Sequence, residues 1–100
     1  MEKDIRSLFY EFNNSATRTF FSLFNEFRNA TDTVERNGYE NKYQVMKSKY
    51  LGVLKHRLEQ SAGSFIDQCS SADMQGRLRI GFTEKITYFL KEFTRKSNLV

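Results

Sequence analysis

The sequence predicts an all-α protein: an antiparallel up-down-up bundle of three long helices with coiled-coil-like packing. Three observations carry that prediction. The 100 residues include no proline, so nothing ends a helix by removing a backbone donor. Apolar residues recur at steps of three and four, the period of a helix face, and no stretch alternates β-branched with polar residues as a half-buried strand does. Ten phenylalanines and five tyrosines supply core bulk in a chain without tryptophan. The length is that of one domain, residues 1–100.

The first helix is predicted from about Lys3 to Arg36. Along it Ile5, Phe9, Phe12, Ala16, Phe20, Leu23, Phe27, Ala30 and Val34 fall within roughly 80° of arc on a 3.6-residue helix. Their mean step, near 3.5, is the repeat of helices packing almost side by side. Glu2 and Asp4 suit the positive end of the helix. Asp32 with Glu35 makes a competing capping box, but Ala30 and Val34 hold the seam in phase, which favours one helix. Arg36-Asn37-Gly38 is the stop, since Asn and Gly tolerate the left-handed conformation that ends helices.

The second helix is predicted from Glu40 to Cys69, its apolar face built from Tyr43, Met46, Tyr50, Leu51, Leu54, Leu58, Ala62, Phe65 and Cys69. Gly52 and Gly63 each cost about 1 kcal/mol relative to Ala inside a helix. Ala62-Gly63-Ser64 is the weakest point, and a break there would give four helices. Ser70-Ser71-Ala72-Asp73 reads as a junction with a serine cap. The third helix then runs to about Lys96 on Met74, Leu78, Phe82, Ile86, Phe89, Leu90 and Phe93, leaving residues 97–100 frayed.

Hydrophobic residues at 39% and charged residues at 28% make a globular composition, not a disordered one. The net charge of +4 is graded: −1 over residues 1–37, +2 over 38–70 and +3 over 71–100. Such a gradient permits an acidic or nucleic-acid partner without demanding one. Cys69 is the single cysteine, which rules out an intramolecular disulfide and points to an intracellular, cytoplasmic setting. The opening residues lack the apolar run of a signal peptide, and no stretch approaches the ~18 apolar residues of a membrane span.

The residues of catalysis are missing as groups. His56, the one histidine, lies between Lys55 and Arg57 on the polar side of its helix. On a straight helix Cys69 would stand ~20 Å from it, too far for a nucleophile and its base. One His and one Cys do not make a metal site, the glycines are single, and the twelve carboxylates are spread along the surface. The expectation is a protein that is not an enzyme, with no cofactor, no metal and no small-molecule substrate.

Two surface features remain. On the far side of the first helix Arg6, Tyr10, Thr17, Phe21, Phe24 and Arg28 form a second stripe. Aromatics with flanking arginines are the composition of a protein–protein hot spot. Either a third packed helix covers this stripe, as the central member of a bundle needs a wide apolar face, or it gives the leading expectation: a non-catalytic interaction module, subunit or adaptor, binding another protein or itself through Arg6, Tyr10, Phe21, Phe24 and Arg28. The alternative is a small basic accessory protein that contacts nucleic-acid phosphates through Lys42, Lys49, Arg77, Lys91 and Arg95. It requires the second and third helices to bring these cations into one ridge.

Overall fold

The computed structural model describes residues 4–34 and 41–99. In them three helices, α1 (Ile5–Thr31), α2 (Lys42–Asp67) and α3 (Ala72–Leu99), pack on one another, and no strand occurs among the described residues. The all-α three-helix bundle is therefore as expected. Ring contacts fix the directions. Phe12 meets Phe65 while Phe27 meets Tyr43 and Tyr50, so α1 and α2 are antiparallel. Phe9 and Phe12 meet Phe82 while Phe24 and Phe27 meet Phe93, so α1 and α3 are parallel. The body measures 54 × 18 × 17 Å.

At two of the three helix starts a side chain supplies a partner for a first-turn amide. Asp4 caps α1 by accepting a hydrogen bond from the Ser7 N–H at 2.8 Å, and that bond holds the Asp4 carboxyl below its ordinary range. Asn41 precedes α2 in the left-handed conformation, φ 47°, which asparagine tolerates better than most residues. Ser71 precedes α3 and accepts from the Met74 N–H through its hydroxyl and from the Gln75 N–H through its carbonyl.

Three boundaries depart from expectation, and the possible break at Gly63 does not occur. The first helix ends at Thr31 and not at Arg36. In Thr31-Asp32-Thr33 the side chains compete with the helical ladder, and the Thr31 hydroxyl donates back to the Phe27 carbonyl at 2.7 Å. The Arg36–Gly38 stop lies outside the described residues. The second helix passes through Gly63 without a break, because Ala62 and Ile66 bury on the bundle on either side of it. It ends at Asp67, leaving Cys69 buried in the connection. The last turn of α3 is not frayed: the Tyr43 hydroxyl donates to the Ser97 carbonyl at 2.6 Å, and Ser97 is fully buried.

The apolar arc of α1 is wider than the seam read from spacing. Phe12, Ala16, Phe20, Leu23 and Phe27 are buried as expected, but so are Leu8, Phe24 and Thr31, while Ala30 is exposed. From Leu8 to Phe24 the buried arc spans roughly 160°, twice the predicted seam. The cause is that α1 packs against α2 and α3 together, and one narrow stripe cannot face both.

Candidate functional site

Both outer seams of α3 carry exposed features, and they are built differently. Along the α1/α3 seam the interior is aromatic: Phe20 lies 5.7 Å from Phe89 and 6.2 Å from Phe93, and Phe24 meets Phe93 edge-on at 5.4 Å. Phe24 is thus 6% exposed and belongs to the core. This corrects its expected place on the outer stripe. The remaining members stay outside, with Tyr10 69% and Phe21 50% exposed and Arg6 and Arg28 also at the surface. Thr17 is half-buried, its hydroxyl donating to the Asn13 carbonyl.

Phe21 does not stand alone on this face. It lines a groove of about 320 Å³ together with Tyr88 of α3, itself 52% exposed. The Lys96 ammonium lies 5.0 Å from the centre of the Phe21 ring and 5.4 Å from that of Phe20. Lys85 sits over Tyr88 at 5.4 Å. Each such contact at an exposed site contributes about 0.5–1 kcal/mol. Tyr10 lies eleven residues before Phe21, which returns it to nearly the same face ~16 Å along the axis. The stripe expected from the sequence lies on the first helix alone and does not include Tyr88. Its membership of the aromatic face depends on which side of α3 meets α1, and spacing within one helix does not encode that.

The five cations of the alternative reading are not brought together. Arg77 is fourteen residues from Lys91 along α3, ~21 Å on a helix, and is paired with exposed Asp73 at 3.3 Å. Lys42 and Lys49 are exposed on α2, with Lys49 turned about 120° from Lys55 around the helix. Lys91 and Arg95 do share a site, but with Lys55. These three border a groove of about 690 Å³ between α2 and α3, floored by Leu51, Gly52 and Leu90. Arg95 forms two hydrogen bonds to Glu92, at 2.8 and 3.1 Å. That bond draws the Glu92 carboxyl below its ordinary range and raises the Arg95 guanidinium. Thr87, Thr94 and Asn98 complete the groove wall. At its end the buried Lys47 ammonium donates to Asn98 Oδ1 at 2.6 Å, which leaves the Asn98 amide nitrogen as a donor.

Cys69 is buried and His56 exposed. Among the described residues no three His, Cys, Asp or Glu side chains gather where a metal ion would bind, and no helix is long and apolar enough to cross a membrane. Comparison with known proteins matches this chain to no protein family, no curated protein and no solved structure.

Proposed function

We propose that this chain is a non-catalytic helical interaction module that binds a second protein through the aromatic face shared by α1 and α3. The observation that carries the reading is the placing of Phe21 and Tyr88 in one groove while both remain about half exposed. A large aromatic taken fully from water contributes roughly 1.5–3 kcal/mol, and a half-exposed ring part of that. With Tyr10 adding a third ring on the same side, the face supports association after ordering costs. Its rim carries Lys85, Lys96, Arg6 and Arg28 against Glu92. Two copies meeting through this face would oppose like charges, so the partner is a different protein with apolar and acidic side chains. An intracellular, reducing setting suits a chain whose one cysteine is buried as a thiol.

A photoreactive benzophenone side chain at position 21 or 88 tests this reading in the cell of origin. The expected result is one discrete cross-linked species from both positions and none from position 60, on the exposed side of α2. The partner so found, once purified, must bind wild-type protein and fail to bind Phe21→Glu/Tyr88→Glu, whose helical circular dichroism stays at the wild-type level. Equal adducts from position 60, or unchanged binding by the double variant, would refute the proposal. A dimer mass in light scattering that Phe21→Glu abolishes would replace the foreign partner with a second copy. A gel shift on mixed RNA and DNA that fades with salt and is lost in Lys91→Glu would favour the nucleic-acid alternative.

A further inference from the structure

The α2/α3 groove is a separate surface, and its chemistry selects a different guest. We propose that it seats an acidic amphipathic helix of a partner protein. The apolar side of that helix would rest on Leu51, Gly52 and Leu90, and its carboxylates would meet Lys55 and Lys91.

Three observations converge on this occupant. The rim is rich in donors and contains no carboxylate: Lys55, Lys91, Arg95 and the Asn98 amide surround an apolar floor. Arg95 is already matched by Glu92, whereas Lys55 and Lys91 form no ion pair or hydrogen bond among the described residues. Such a site complements a ligand that is apolar on one side and negative on the other. The groove also has the length for a helix, since Thr87 to Asn98 on α3 covers ~17 Å, about three turns of a guest. It contains no aromatic side chain, so nucleobases find no stacking platform. Being open along its length, it would leave a lipid chain largely wet.

The third observation is Gly52. A glycine inside a helix is destabilising relative to alanine, and a Cβ there would meet nothing within 4 Å in this chain. Internal packing therefore does not require Gly52, whereas close approach of a guest backbone does. Gly63 and Gly76 also face open space, but neither lines this groove.

The test uses a fluorescent 14-residue peptide with leucines at helical spacing and glutamates elsewhere, followed by anisotropy against the intact chain. Saturable binding is expected. It should weaken about tenfold or more in Lys55→Glu/Lys91→Glu and about fivefold in Gly52→Leu, which fills the floor. Phe21→Glu/Tyr88→Glu should bind as wild type, which separates this site from the α1/α3 face. Lys55→Met/Lys91→Met, which keeps much of the stems, should weaken binding less than the glutamate pair and makes the charge contribution readable. The idea is overturned by equal binding of a scrambled peptide of the same composition, or by the absence of any anisotropy change. Displacement of the peptide by an oligothymidylate or by oleate at lower concentration would overturn it too.

Discussion

The two seams that flank α3 differ in how glycine is used: the space beside Gly81 is filled and that beside Gly52 is left open. On the α1 side Gly81 has no spare room: a Cβ there would collide with Cε1 and Cζ of Phe9. The ring occupies the space that a side chain would have taken, and it packs edge-on to Phe82 at 5.4 Å. On the α2 side Gly52 has nothing over it, and its neighbours are the half-buried aliphatics Leu51 and Leu90. A missing side chain thus becomes a contact on one flank and an opening on the other. The residue is the same, and the partner helix determines its meaning.

The largest expected effect comes from breaking the closed seam. Phe93 is fully buried and touches Phe20, Phe24 and Phe27, so Phe93→Ala should cost about 3–5 kcal/mol. Leu90, half-buried on the groove floor, should cost only about 1 kcal/mol when cut to alanine, since part of its surface is wet already. Urea unfolding of the two variants measures the contrast directly. Equal losses would mean that the α2/α3 seam is as tightly filled as the other.

The polar end of the open seam comes next. Asn98→Ala removes the acceptor of the buried Lys47 ammonium and should destabilise by about 1–2 kcal/mol. Lys47→Met in that background should recover part of the loss, because no charge is then left in the apolar contact.

The glycine pair gives smaller changes of opposite sign. Gly81→Ala should destabilise by about 1 kcal/mol net, as displacement of Phe9 outweighs the gain in helix propensity. Gly52→Ala should stabilise by about 0.5–1 kcal/mol, with nothing to displace. Thermal midpoints suffice to read the signs, and a shared sign would remove the contrast on which this comparison stands.

The smallest effect lies where the closed seam begins. The Ser7 N–H favours the charged form of Asp4, so its folded pKa lies below the ordinary aspartate value. The cap therefore stabilises fully above the unfolded value and loses that contribution as pH falls through the lowered folded value. The stability difference between wild type and Asp4→Asn should be constant near neutrality and shrink below about pH 4. Using the difference cancels Glu92, which titrates in the same direction.

Much of the bundle was legible from spacing alone. Phe12, Phe20 and Phe27 on α1, Leu54 and Leu58 on α2, and Phe82, Ile86 and Phe93 on α3 are buried where helical periodicity put them. Spacing reports one helix at a time, and the errors follow from that. Phe24 looked external because a helix with two neighbours needs an arc broader than one stripe. A break at Gly63 stayed open because local propensity omits the burial of Ala62 and Ile66. Tyr10 and Phe21 were readable as surface aromatics, since each falls well off the seam. Tyr88 as their companion was not, and neither was the meeting of Lys55 with Lys91 and Arg95. Both depend on the pairing of helices distant in sequence.

An odd number of helices sends the chain in at one pole and out at the other. Asp4 starts beside the first turns of α3, and Leu99 finishes beside the start of α2, so the two are held apart along a 54 Å body. Cargo fused beyond each pole would be kept separate by a stiff strut instead of being drawn together. A tether joining Asp4 to Leu99 would have to span about one helix length, ~40 Å, or on the order of 12 extended residues.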